Sequence, residues 1–281
     1  TSACGHWAPT SSGSSNHPAT LMPVQVLREL EAPGPVPRFD IPAWWEEFGV
    51  RAGVTGRGEG PGRGFDLGLW TDAPVGEVMG RWRQFRNGFE DFPGVVLGDQ
   101  VHGVQLARHR EVRGWSQVDA LDGHLTTQPG VLLTVTVADC IPVYLLAPKQ
   151  RAAALLHCGW RGTSGGLLSR GIQTLREVTN MAVDNMVMHC GVGICGACYE
   201  VGSEVMESCG QAAPGPGPWH LDLRSVLIEA ARRAGIRRIS TSPWCSSHDR
   251  PRFYSHRGSG GRDGRMVAYL GYPLGPATAS D

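Results

Sequence analysis

Three short segments gather residue types suited to metal chemistry: Gln100-Val101-His102-Gly103, Ala138-Asp139-Cys140-Ile141-Pro142 and His157-Cys158-Gly159-Trp160-Arg161-Gly162. Each holds one soft-metal ligand beside residues that favour tight turns. His102, Cys140 and His157 form a His-Cys-His set, and three protein ligands leave a tetrahedral ion one open position for water or substrate. That is the pattern of a catalytic centre, since structural zinc is usually closed by four ligands. Zinc suits imidazole and thiolate, and copper suits them as well. Asp139, beside Cys140, is placed either to orient a ligating histidine or act as a base, or to cap the turn through a backbone N–H.

A second cysteine group, Cys190-x4-Cys195-x2-Cys198, has the spacing of plant-type iron–sulfur proteins, with Cys209 or Cys245 as a fourth ligand. Cys195-Gly-Ala-Cys198 also reads as a redox or zinc half-site. The zinc deaminase signature fits poorly, because Ile194 stands where proline precedes the first cysteine. On these grounds Cys195 and Cys198 are expected to take no part in metal binding. Anions have two candidate seats. Trp160-Arg161-Gly162 leads into a helix start at Thr163-Ser164, where free N–H groups attract negative charge, and Arg57 lies in a Gly-rich loop over 56–64. Lys149 is the only lysine, so anion sites are built from arginine, which binds phosphate in a bidentate fork.

These residues need a scaffold. Strands are expected over 94–97, 104–107, 131–138, 143–147, 152–157 and 185–190, and another from Arg237 to Thr241. Several are continuous apolar runs, as in strands buried on both faces. Each candidate ligand then falls at a strand-to-loop junction. A helical stripe of Val78, Met79, Trp82, Phe85 and Phe89 occupies 74–90. Further helices are expected over 40–49 (capped by Asp40, stopped by Gly49), after Thr163 or Ser164, and over 222–234 with Gly235 as its stop. Strand pairs mix with isolated helices without regular βαβ repetition, so the expected fold is α+β: mixed sheets packed with flanking helices, in one domain. Residues 1–21 read as a disordered extension and 22–281 as the catalytic domain.

Composition narrows the class. With 281 residues, 41% apolar content and a formal net charge of +0, nothing favours nucleic acid or an anionic membrane as partner. No apolar run approaches the ~20 residues that span a bilayer, and no secretory signal is evident. Eight cysteines in a chain of this size read as reduced thiols in a cytoplasmic protein.

The segments, in their order, resemble the YfiH/laccase-domain family of purine nucleoside enzymes. The motifs that carry the resemblance are QVHG at 100–103, ADCIP at 138–142, HCGWRG at 157–162, GVGICGACYEV at 191–201, FYSHR at 253–257 and GR at 264–265, with Thr55-Gly56-Arg57 and Asp66-Leu67-Gly68 upstream. The chain departs from the family pattern at Asp66, Cys158, Val192, Gly196 and His256. The resemblance implies phosphorolysis of adenosine, inosine, guanosine and methylthioadenosine, and deamination of adenosine. Purine nucleosides and phosphate would be the partners, and zinc (or copper) the metal, held by His102, Cys140 and His157. Asp139 and Arg161 would join Cys140 and His157 in the chemistry. Arg57, Arg161, Tyr199 and Arg257 would hold phosphate, ribose or base, with Tyr199 stacking on the purine or simply packing. Two other readings stay open: a cysteine hydrolase, deamidase or peptidoglycan-editing, with Cys140 as nucleophile and His157 or His102 as base, and a copper polyphenol oxidase or non-catalytic metal or redox protein.

Overall fold

The structure is a computed structural model that describes residues 22–59 and 64–275. The expected extension over 1–21, with Cys4 and His6, lies outside the described residues. Two seven-stranded sheets dominate. In spatial order the first runs Gln25–Val26, Arg238–Thr241, Val187–Cys190, Ile141–Ala147, Ala152–Cys158, Gly123–Thr126 and Leu106–His109. The second runs Leu30–Ala32, Arg38–Asp40, Arg51–Thr55, Met266–Gly271, Val131–Val137, Gly94–Gly98 and Gly114–Val118. Both mix parallel and antiparallel pairs, as the α+β expectation requires.

Side-chain alternation explains the layering. In Ile141–Ala147 the side chains of Val143 and Leu145 enter one core, whereas Tyr144 and Leu146 enter another. The first core lies under the helices Leu167–Thr179 and Leu223–Ala234, and the second lies between the sheets. Likewise Leu133 and Val135 face the inter-sheet core while Leu132 faces a third, under the helix Val75–Asn87. The order of layers is therefore helices, sheet, sheet, helix. Central strands are buried on both faces, which is why they read as unbroken apolar runs. The aromatic stripe of Val75–Asn87 fills its core with Trp82 and Phe85, both fully buried. Truncating such a phenylalanine to alanine costs about 3–5 kcal/mol.

Helix ends follow the expected chemistry in part. Asp222 caps Leu223–Ala234 by accepting from the amides of Arg224 and Ser225, and Gly235 ends it in the left-handed conformation. Gly49 ends Pro42–Phe48 in the same way. Asp40 is not that helix's cap: it sits in a strand, paired with Arg38 and with the Tyr269 hydroxyl, and proline at the first helical turn needs no donor partner. Neither Thr163 nor Ser164 starts a helix, because both already lie in the short helix Trp160–Ser164, and the longer one begins after Gly166. The strands Arg51–Thr55, Gly114–Val118, Gly123–Thr126 and Met266–Gly271 were not among the expected elements. No helix of the described residues is long and apolar enough to cross a membrane.

Candidate active site and metal centre

The chain changes sheets at the point where chemistry is expected. Val131–Val137 belongs to the second sheet and Ile141–Ala147 to the first, so Ala138, Asp139 and Cys140 form the crossing. Asp139 takes a φ of 93° there. His157 stands opposite Pro142 on the neighbouring strand, which places its ring beside Cys140. His102 comes from the loop after Gly94–Gly98 and takes a φ of 59°. A donor atom from each of His102, Cys140 and His157 lies within 4.8 Å of the others. The imidazoles meet edge to face, with centroids 4.8 Å apart.

The carboxylate that orients this set is Asp122. Its Oδ1 accepts from His157 Nδ1 at 2.8 Å and from the His102 amide at 3.0 Å. Its Oδ2 accepts from the amides of Gly103 (2.7 Å) and Val101 (3.2 Å). One side chain thus fixes the ring of His157 and the loop of His102, and leaves His157 Nε2 as the metal-facing nitrogen. A carboxylate–histidine pair of this kind sets the tautomer and the basicity of a metal ligand. Gly159 completes the cradle: a Cβ there would sit 2.9 Å from Cys140 Sγ and 3.2 Å from His102 Cδ2. The donors and the space kept clear for them fit a single soft divalent ion.

In the metal-free site the electrostatics describe a thiolate–imidazolium pair, whose imidazolium proton a metal would displace. Burial alone would raise the Cys140 thiol, but His157 and His102 reverse this and bring it down to about 6. Burial would lower His157, yet Cys140 and Asp122 hold it up to about 9. Burial opposes ionisation of Asp122 too, but His157 and the backbone amides leave it below the ordinary carboxylate value. The thiolate, the form that binds metal, is the stable state of Cys140 at neutral pH.

Asp139 has the other role weighed for it. Its Oδ1 accepts from Ser246 Oγ (2.6 Å) and Ser255 Oγ (2.7 Å), and its Oδ2 from the Arg257 amide (2.6 Å). It secures the turn and the Arg257 segment, and among the described residues it holds no histidine.

A cleft of about 450 Å³ opens over the three ligands. Arg161, Tyr199 and Arg257 line it with Asp139. The Arg161 guanidinium lies 4.4 Å from the centre of the Trp160 ring, and among the described residues no protein acceptor takes a hydrogen bond from it. Arg257 stacks over Tyr199 at 5.4 Å and donates to the Glu200 carbonyl. Arg57 is not in the cleft. Its Nη2 pairs with Asp263 at 2.6 Å and its Nε donates to the Arg250 carbonyl, so its charge is spent on holding loops together. The cleft also holds His256, from the segment 253–257 that could line a nucleoside pocket, and adds Trp70, Gln100 and Arg265, which are not among the expected site residues. Gln100 lay in a motif already quoted, and that was its signal. Asp122 carries no signal in the sequence, since an Asp-Gly pair has ordinary turn composition.

Comparison with known proteins sets this geometry in context. Residues 48–272 match the family model described as "Multi-copper polyphenol oxidoreductase laccase". A Deinococcus radiodurans protein named "Purine nucleoside phosphorylase" is 35% identical over 258 residues, 87% of this chain and 96% of its own length. "Adenosine deaminase RL5", from an unknown prokaryotic organism, is 30% identical over 241 residues, 77% of this chain and 92% of that protein. Among solved structures, YlmD from Geobacillus stearothermophilus superposes with a TM-score of 0.78 at 26% identity, covering 88% of this chain and all of that one.

Proposed function

This chain belongs to the multi-copper polyphenol oxidoreductase laccase family, and from that premise we propose that it is a metal-dependent purine nucleoside enzyme. It cleaves adenosine, inosine, guanosine and methylthioadenosine with phosphate, and deaminates adenosine. The observation that carries the reading is the three-donor set, oriented by Asp122, beneath a cleft of nucleoside size whose wall holds Arg161, Arg257 and Tyr199. The names of the two relatives support both activities.

His102, Cys140 and His157 would hold the ion, preferably zinc, with copper chemically compatible. Bound there, zinc supplies Lewis acidity and lowers the pKa of water. The protein's own groups do the rest. Trp70, half exposed at the rim, and Tyr199 offer flat faces for a purine. Arg161 meets the phosphate dianion as an unshared guanidinium fork. In phosphorolysis a phosphate oxygen bonds to C1′ as the bond from C1′ to the base nitrogen breaks, giving free base and ribose 1-phosphate. In deamination water adds at C6 of adenine and ammonia leaves, giving inosine.

A second reading takes Cys140 as a covalent nucleophile with His157 as its base, resting on the Asp122–His157–Cys140 chain of contacts. One experiment separates the two. Protein stripped with a chelator is assayed with adenosine and phosphate, then reloaded with zinc, and products are resolved by chromatography. The nucleoside reading expects adenine and a slower yield of inosine, lost on stripping and restored by zinc. Inactivity towards adenosine, with an adduct trapped on Cys140 during amide hydrolysis by the stripped protein, would establish the cysteine reading instead.

A further inference from the structure

The run Cys190-x4-Cys195-x2-Cys198 does not act as a unit. Cys190 is buried in the core under the helices, and Cys209 points at the Trp160 carbonyl. Cys195 and Cys198 instead meet Cys245, one of the two candidate fourth ligands, and His248, which no motif connects to them. One donor atom from each of the four lies within 4.8 Å of the others. Cys198 Sγ is 3.2 Å from His248 Nε2, and Cys195 Sγ is 3.6 Å from His248 Nδ1. Zinc–sulfur bonds of about 2.3 Å and zinc–nitrogen bonds of about 2.0 Å put tetrahedral ligands roughly 3.5–3.8 Å apart. The cluster is within side-chain adjustment of that figure.

We propose that Cys195, Cys198, Cys245 and His248 bind a second zinc ion in a closed structural site, separate from the three-ligand centre of the cleft. Two features support this beyond proximity. The ligands come as two short pairs, Cys-x2-Cys and Cys-x2-His, the half-site spacings that let adjacent residues grip one ion. Backbone amides also point at sulfur: Cys195 N lies 3.3 Å and His248 N 3.4 Å from Cys245 Sγ. Amides donating to sulfur fix its orientation, as the outer partners of a metal ligand do. Four protein donors fill a tetrahedral ion, so this site offers no seat for substrate and acts by cross-linking.

Its position says what it would brace. Ile194 and Tyr199 flank the first pair and line the cleft. The second pair leads through Ser255 to His256 and Arg257 on the same wall. Without metal, the two segments are joined here by the bridge between Gly193 and Cys245 and by the Ser246 amide donating to the Gly193 carbonyl. A metal would fix the two halves of the wall across 50 residues of sequence. The expectation that Cys195 and Cys198 stay out of metal binding rested on the missing proline before Cys195 and on the place of the run in a Gly-rich segment, and the folded chain brings Cys245 and His248 to the pair.

The test is metal counting on the whole chain, purified under reduction with added zinc and freed of loose metal by gel filtration. Wild type should carry about two zinc ions. His102→Ala/Cys140→Ala, which empties the cleft centre, should keep one, and adding His248→Ala and Cys198→Ser should remove it. In the zinc-loaded cleft variant, Cys195, Cys198 and Cys245 should resist alkylation until a strong chelator is added. The proposal is overturned if that cleft variant, folded by circular dichroism, holds no zinc, if its three thiols alkylate freely or form a disulfide, or if the cluster holds iron with sulfide. Should the fourfold variant not fold, the cleft variant alone still decides. Failure here leaves the nucleoside reading untouched, since the ligand sets share no residue.

Discussion

Replacing Asp122 by asparagine probes a side chain that ties the proposed metal ligands of the cleft to the scaffold. The change is isosteric and removes a charge. Aspartate accepts four hydrogen bonds, two on each oxygen. Asparagine has one carbonyl oxygen, so its NH2 must face one pair of donors: the amides of Val101 and Gly103, or the His102 amide and His157 Nδ1–H. Two hydrogen bonds to a charged acceptor are lost, each worth about 1.5–3 kcal/mol. If the NH2 faces His157, the imidazole loses its orienting partner, for which metal sites typically forfeit about 10–100-fold in affinity. We expect a drop of roughly 3 kcal/mol in unfolding free energy of metal-free protein. Zinc affinity at the cleft should weaken at least tenfold, read by competition with a chromogenic chelator. A variant that matches wild type in zinc affinity within twofold would refute the claim that Asp122 governs the centre.

Gly159→Ala should crowd Cys140 Sγ and His102 without changing any ligand. Overpacking of this kind costs ~1–3 kcal/mol, so zinc affinity at the cleft should fall about tenfold with the far-ultraviolet spectrum unchanged, and an unaltered affinity would contradict the packing argument. Arg161→Ala should slow phosphorolysis ~10–100-fold and deamination far less, since only phosphorolysis binds a dianion; equal losses in steady-state rates would disprove the role. Arg57→Ala should leave the KM for phosphate unchanged but cost about 2 kcal/mol of stability in urea melts, because its bonds to Asp263 and to two carbonyls are lost. The buried His109–His124 pair (2.9 Å) gives a pH test. Burial lowers His109 to about 4, and burial with His109 lowers His124 to about 3 against the pull of Asp122. Both values lie below the unfolded 6.5, so the unfolded chain takes up protons first. The stability is present above pH 6.5 and is lost as pH falls from 6.5 towards 4, by about 2 kcal/mol between pH 7 and 5.5 for the pair. Proton NMR should show both rings neutral down to pH 5, and titration of either near 6.5 would be contrary.

Legibility in the sequence followed the range of the interaction. His102, Cys140 and His157 stood out because rare donor types sat beside turn residues, and the strands that carry Cys140 and His157 announced themselves as apolar runs. The helix Val75–Asn87 was legible from its own stripe of Val78, Trp82 and Phe85. The strand Gly123–Thr126 was not, since a buried histidine and threonine interrupt any apolar pattern. Asp122 acts on His157 across 35 residues, and no local signal separates it from a turn aspartate. The same holds for Arg57, whose partner Asp263 is 206 residues away. It holds again for Cys245 and His248, about 50 residues from Cys195 and Cys198. Each of those pairings joins loops beside neighbouring strands of one sheet, and they meet only once the strands have paired.

The most direct test of the central claim is phosphorus NMR of adenosine with inorganic phosphate and zinc-loaded protein. The account predicts a new sugar-phosphate ester signal growing as inorganic phosphate falls, matched by adenine release and absent with His102→Ala/Cys140→Ala. Adenosine left intact by fully metallated, folded wild type, or adenine released at the same rate without phosphate, would contradict it.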